Sequence, residues 1–99
     1  MANKPVRFHP EAEQKYLETI AWYRDRSPIA AVNFEAAVSL AIGTIGASPQ
    51  SWPIYFHKFR RYVLRRFPFS VVYEEVLSEI VVFAVAHASR RPGYWRRRT

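Results

Sequence analysis

The 99-residue chain contains no cysteine, and its three histidines, His9, His57 and His87, fall on separate predicted elements. Without cysteine there is no disulfide framework, no thiolate metal site and no cysteine nucleophile. A zinc site needs more clustered ligands than these histidines provide. The GxGxxG, phosphate-loop and HExxH motifs are also missing. We therefore expect neither a bound metal nor a cofactor.

Long hydrophobic runs are scarce. The longest apolar stretch near the C-terminus, residues 80–86, is far too short to cross a bilayer as a helix. The first residues lead directly into a polar–apolar pattern and show no signal-peptide core. The sequence thus predicts a cytoplasmic protein with no membrane partner.

The length is sufficient for one domain, which we predict to cover residues 1–99. Hydrophobic residues make up 49% of the chain and charged residues 23%, which is typical of a globular protein rather than a disordered one.

The charge is strongly basic and unevenly distributed. Fifteen lysines and arginines against eight acidic residues give a net charge of +7. Residues 1–57 hold five basic and five acidic groups, so the whole excess lies in residues 58–99. Such asymmetry indicates an anionic partner, either a nucleic acid or an acidic protein. The alternative is a basic surface that only aids solubility, with a frayed arginine tail from about residue 88.

The first half of the chain has helical periodicity. A short strand is predicted at residues 6–8, and Pro10 with the following glutamates favours a helix start. Apolar residues at helical spacing extend this helix to about Arg24. Ser27 and Pro28 then favour a second start, and an apolar stripe continues to a terminator at Gly46. The short junction predicts an antiparallel helical hairpin.

After residue 48 the period becomes that of β-strands. Prolines mark a loop around Trp52, and strands are predicted over residues 61–67, 69–73 and 80–87. The predicted order is β-α-α-β-β-β, an α+β domain with the hairpin packed on a small antiparallel sheet. Ala88 and the residues after it form a basic tail.

Two stretches combine arginines with aromatic residues. Residues 65–73 read Arg-Arg-Phe-Pro-Phe-Ser-Val-Val-Tyr, and residues 85–95 read Val-Ala-His-Ala-Ser-Arg-Arg-Pro-Gly-Tyr-Trp. Arginines on adjacent strands can converge over one sheet face, where they suit phosphate or carboxylate and where aromatic rings supply stacking surfaces.

These two motifs, in a chain of this size and element order, resemble the RelE/ParE superfamily of type II toxin–antitoxin toxins. The resemblance extends from about Val6 to Trp95 and favours the ParE-like branch, because the helical hairpin is long and His87 is followed by Arg90 and Arg91. It implies a toxin that a cognate acidic antitoxin neutralises, in a possible higher-order hetero-oligomer.

The resemblance leaves the target open, because one fold hosts different activities. ParE-like members bind and inhibit DNA gyrase without an agreed catalytic residue. For that activity, which we favour, the expected target contacts are Arg65, Arg90, Arg91, Tyr94 and Trp95.

RelE-like members instead cleave messenger RNA on the ribosome, which requires a base, an acid and cations. By resemblance, the candidates for that activity are Lys58, Arg65, His87 and Tyr94. The set is incomplete, since Ala88 stands where that branch often has a basic residue and arginine stays protonated. A basic nucleic-acid-binding domain is the second alternative.

The antitoxin is expected to place an amphipathic, acidic segment in the groove between hairpin and sheet, or to add a strand at a sheet edge. Trp22, Tyr23 and Trp52 are the candidate anchors, because a small core does not readily enclose all of them. The alternative is that all three belong to the core.

Overall fold

A computed structural model describes residues 3–98 and gives the element order β-α-α-β-β-β-β. The α+β class is confirmed, and residues 1, 2 and 99 of the predicted domain lie outside the described range. The elements are β1 (Val6–Phe8), α1 (Pro10–Arg26), α2 (Pro28–Ala47), β2 (Ile54–Phe56), β3 (Phe59–Val63), β4 (Phe69–Glu75) and β5 (Ile80–His87), with 3₁₀ helices at Pro49–Ser51 and Tyr94–Arg98.

The predicted helical hairpin is present, and Ser27 makes its junction. The Ser27 backbone N–H donates to the carbonyl of Tyr23 at the end of α1 (2.7 Å). Its hydroxyl accepts from the Ala30 N–H in the first turn of α2 (3.2 Å). One serine therefore ends one helix and caps the next, as its preference for cap positions predicts.

The sheet has the strand order β1-β5-β4-β3-β2. The predicted antiparallel meander is β3-β4-β5, but two features of the sheet were not predicted. β1 pairs parallel to β5, so the sheet is mixed rather than antiparallel. A further strand, β2, pairs antiparallel with β3 through a tight turn in which His57 has φ 52°. This three-residue edge strand was not predicted, because the prolines around Trp52 are typical of a loop.

The strand predicted over residues 61–67 is displaced. β3 begins at Phe59 and ends at Val63, and residues 64–68 form the turn into β4. The Leu64 N–H donates to the Phe69 carbonyl (3.0 Å), which closes this turn ahead of the second strand. Arg65 therefore lies in a turn and not on a strand.

The two faces of the sheet carry separate cores. The hairpin covers one face, where Phe34, Val38, Tyr73 and other side chains form the larger core. The C-terminal segment, residues 88–98, covers the other face. A smaller core is formed there by Phe59, Val72, Val81, Phe83, Ala84 and Trp95. Residues 94–98 are therefore a folded part of the domain and not a frayed tail.

Helix α2 is long and apolar enough, by length and composition, to cross a membrane, with a mean hydropathy of 1.6. Its buried side, which includes Phe34, Val38 and Ile45, is the side that packs on the sheet. Core helices of soluble proteins have the same composition, because they are buried along much of their length.

A β-bulge in β5 holds the C-terminal segment against the sheet. Val72 pairs with Ala84 and Tyr73 with Val82, so Phe83 is the extra residue. Arg98 donates from Nη1 to the Phe83 carbonyl (2.7 Å). The last described residue is thereby tied to the sheet.

Candidate functional site

The C-terminal segment builds a basic surface on the sheet face opposite the helices. We use "basic surface" for Lys58, Arg61, Arg90, Arg91, Tyr94, Arg96 and Arg97. Most of it lines a groove of about 910 Å³, and the lining residues, 57–59, 90–94, 96 and 97, include no acidic residue. The C-terminal excess of positive charge is therefore concentrated around one concave surface.

Trp95 supports this surface from below and does not form it. Its side chain is 1% exposed and stacks on Tyr55 at 5.7 Å between ring centroids. Its ring also meets Phe56 and Phe59 edge-on at 6.2 and 5.9 Å. Trp95 was predicted to be a direct target contact, but its side chain is enclosed by the smaller core and is not presented on the surface.

Gly93 allows the segment to fold back over the sheet. Its φ of 85° lies in the left-handed region, and a Cβ there would come within 3.1 Å of the Phe56 ring. Both the backbone conformation and the close approach require glycine. The turn at Gly93 places Arg90 and Tyr94 beside each other.

Two arginine guanidinium groups lie over tyrosine rings. The guanidinium carbon of Arg90 lies 3.8 Å from the centroid of Tyr94, and that of Arg61 lies 3.9 Å from Tyr55. Such cation–π stacking fixes the plane of the guanidinium group and leaves its N–H edge available. Both arginines line a smaller pocket of about 270 Å³, which we call the Arg61–Arg90 pocket.

Sequence reasoning missed Arg61, although a signal for it was present. Strand alternation puts residue 61 on the same face as Val63, and this is the face that carries the C-terminal segment. Arg65 was predicted to be the strand arginine because the predicted strand extended to residue 67, whereas β3 ends at Val63.

Arg65 lies elsewhere, which corrects its predicted place beside Arg90 and Arg91. It lines an apolar groove with Leu40 of α2 and Tyr62, on the helix-covered side of the sheet. The expected convergence of arginines does occur, but with Arg61 in place of Arg65.

The four residues considered for RNA cleavage are not assembled in one place. Lys58 and Tyr94 line the large groove, where the Lys58 Nζ lies 3.6 Å from a carboxylate oxygen of Glu74. The His87 ring packs edge-on against Phe69, which belongs to the hairpin-side core, at 5.0 Å, and His87 also lines the Arg61–Arg90 pocket with Tyr94. Arg65 lies on the hairpin side, away from both cavities.

The local hydrogen bonds of His87 determine which ring nitrogen carries the proton when the ring is neutral. Nδ1 accepts from the Ser89 backbone N–H (3.0 Å) and lies 2.8 Å from the Ser89 hydroxyl oxygen. Because Nδ1 is the acceptor, the proton of the neutral ring is on Nε2. A neutral His87 can thus donate through Nε2, while its accepting nitrogen is already occupied.

The three candidate antitoxin anchors do not lie on one surface. Trp22 is 51% exposed and lines an apolar groove of about 520 Å³ with Tyr23. Tyr23 is half-buried, and burial raises its pKa. Trp52 packs elsewhere, against Tyr62 at 4.6 Å between ring centroids. Only Trp22 and Tyr23 therefore share a surface, while Trp52 is half-buried against the larger core.

Comparisons with known proteins identify a family for the chain and a solved structure that shares its fold. A family model described as "ParE toxin of type II toxin-antitoxin system, parDE" matches residues 6–92. A solved structure of the chromosomal ParDE TA system from P. aeruginosa contains a chain with the same fold. The TM-score is 0.74 at 15% sequence identity, over 85% of this chain and 95% of that chain. No curated protein matches the sequence.

Proposed function

The chain belongs to the ParE toxin family of type II toxin–antitoxin systems, and on this premise we propose that it inhibits DNA gyrase by binding through the basic surface. A cognate antitoxin neutralises it in a hetero-oligomer. Since gyrase acts on the chromosome, the proposal places the toxin in the cytoplasm.

The observation that supports binding rather than catalysis is the chemistry of the basic surface. Its charged groups are arginines and one lysine, and no carboxylate lines the large groove. Arginine remains protonated at every physiological pH and cannot act as a base. Arg65 lies towards the helices. His87 does line the Arg61–Arg90 pocket with Tyr94, but its accepting nitrogen Nδ1 is already occupied by the Ser89 N–H. Such a surface suits recognition of an anionic partner.

The experiment is inhibition of purified gyrase in a supercoiling assay. Arg90→Gln and Arg91→Gln should weaken inhibition in a graded way, with a desolvated charge contact costing about 2–5 kcal/mol and a rim charge much less. Arg66→Gln is the matched control, because it removes the same charge on the other side of the sheet. Equal losses for all three variants would contradict a local contact surface.

Ribosome-dependent RNA cleavage remains the second candidate, because Tyr94 stacks with Arg90 beside the Arg61–Arg90 pocket. Tyr94→Phe separates the two functions. In a binding toxin the change is mild, since the ring makes the contact. In a nuclease the loss of the hydroxyl proton costs about 10²–10⁴-fold in rate.

Induced cells provide an independent readout of the target. Filamentation with an SOS response indicates gyrase, and rapid loss of translation indicates the ribosome. A folded Tyr94→Phe toxin that binds antitoxin but no longer arrests growth would favour the ribonuclease.

For the antitoxin we propose that an acidic, amphipathic segment uses the groove at Trp22 and Tyr23. Trp22→Ala should weaken the complex more than it lowers the free energy of unfolding, because half of this side chain is exposed. Trp52→Ala is the comparison, since Trp52 packs on the larger core. If Trp22→Ala lowers stability as much as it lowers antitoxin affinity, Trp22 acts through the core.

A further inference from the structure

We propose that the Arg61–Arg90 pocket binds a phosphodiester group of a nucleic-acid strand, which adds a direct nucleic-acid contact to the proposed gyrase inhibition. Only the source of the strand rests on that proposed function: it would be the DNA held by gyrase. The phosphate site itself is argued from the pocket.

The two arginines are placed for a ligand and not for a protein partner. Within residues 3–98, neither the Arg61 nor the Arg90 guanidinium group donates a hydrogen bond or forms an ion pair, although the backbone N–H groups of both residues donate to carbonyls. Other cations of the chain do have protein partners: Lys4 pairs with Glu75, Arg7 with Glu79, Lys15 with Glu18 and Lys58 with Glu74, while Arg98 donates to a carbonyl. The stacks on Tyr55 and Tyr94 fix Arg61 and Arg90 without using their N–H groups.

The remaining polar groups of the pocket can also donate. The Ser70 and Tyr94 hydroxyls line it and make no hydrogen bond to the described part of the chain. His87 lines it too, and in its neutral form Nε2–H is a further donor. No carboxylate is among the lining residues. A pocket lined by two guanidinium groups without protein partners, by two hydroxyls and by no carboxylate matches an oxyanion ligand.

A phosphate of a polymer fits this arrangement better than a protein carboxylate. Arg90 and Tyr94 line both the pocket and the large groove, so the two cavities adjoin each other. Arg91 and Arg97 continue the positive charge along that groove. A row of cationic side chains beside aromatic rings suits a nucleic-acid strand, because each nucleotide carries one negative charge. Grooves that bind single strands have the same arrangement.

The test measures binding of a short fluorescein-labelled oligothymidylate to the purified full chain by anisotropy, across a salt series. Arg61→Gln and Arg90→Gln should each weaken binding about tenfold or more, and each should reduce the slope of log affinity against log salt by about 0.7. Arg66→Gln should leave that slope unchanged. Arg61→Lys keeps the charge but loses the planar fork, so it should fall between Arg61→Gln and the unmodified chain.

Two results would overturn the proposal. Equal weakening by Arg66→Gln and Arg61→Gln would mean a diffuse positive field without a site. A glutamate-rich peptide of equal charge that binds as tightly, with the same dependence on Arg61, would mean a protein carboxylate ligand.

The supercoiling assay keeps the two proposals separate. Arg61-dependent oligonucleotide binding without gyrase inhibition would support the phosphate site and refute the gyrase function. Gyrase inhibition that is unaffected by Arg61→Gln, with no oligonucleotide binding, would refute the site alone.

Discussion

Replacement of Trp95 by alanine tests whether this residue belongs to the core or to the contact surface. The side chain is 1% exposed and packs against three aromatic neighbours, Tyr55, Phe56 and Phe59. Removing a buried tryptophan costs about 3–5 kcal/mol, a large part of the roughly 5–15 kcal/mol that stabilises a typical domain. We expect the loss to appear in urea denaturation, together with faster amide exchange over residues 94–98.

Trp95→Phe is the matched variant. The Trp95 Nε1–H has no acceptor among residues 3–98, so phenylalanine forfeits no protein hydrogen bond and loses only part of the buried area. The cost should be about 1–2 kcal/mol, below that of the alanine variant. Trp95→Phe should therefore retain most of the toxin's target affinity once its folded fraction is taken into account.

A Trp95→Ala protein of unchanged stability that has lost target binding would refute the core role of Trp95. That outcome would mean that Trp95 leaves the core to meet the target. Unchanged amide exchange over residues 94–98 would likewise show that the segment does not depend on this ring.

Further predictions concern backbone positions and one ion pair. Gly93→Ala should destabilise the fold by at least about 1–2 kcal/mol in urea denaturation, because φ is 85°, whereas Gly43→Ala, with nothing within 4 Å of its added Cβ, should stabilise it by about 0.5–1 kcal/mol. Ser27→Ala removes the cap of α2 and should cost about 0.5–2 kcal/mol in the same assay. The hydrogen bond from Lys4 lowers the pKa of Glu75, so this pair stabilises the fold above the usual glutamate range, and the contribution is lost as the pH falls through the lowered pKa. Lys4→Met should therefore show a smaller loss of stability between neutral and acidic pH.

The hairpin and the β3-β4-β5 meander could be predicted because their signals are local. Capping at Ser27 and alternation in residues 69–73 depend on neighbours in sequence. The parallel pairing of β1 with β5 depends on residues more than seventy positions apart, as Val6 opposite Ile80 shows. No local pattern encodes such a contact.

The sequence predicted that the site combines arginines with aromatic residues, but it did not predict every residue that forms the site. Arg90 and Tyr94 could be identified because they lie in one short motif. Arg65 was predicted at the position that Arg61 occupies in the structure. The exact end of β3 decides which arginine lies on which face, and strand ends are weakly specified by sequence. Trp95 was assigned to the surface because a tryptophan amid arginines gives no local sign of burial.

The same C-terminal segment supplies both core and contact surface, and this links stability to binding. Arg90, Arg91 and Arg97 crowd like charges around one groove, which destabilises the free fold through repulsion. The buried ring of Trp95 and the bond from Arg98 to the bulge hold the segment in place against that repulsion. Any anionic partner that binds there removes the repulsion and stabilises the folded state in proportion to its affinity. We therefore expect the C-terminal segment to be the part of the toxin whose amide exchange slows most when the target binds.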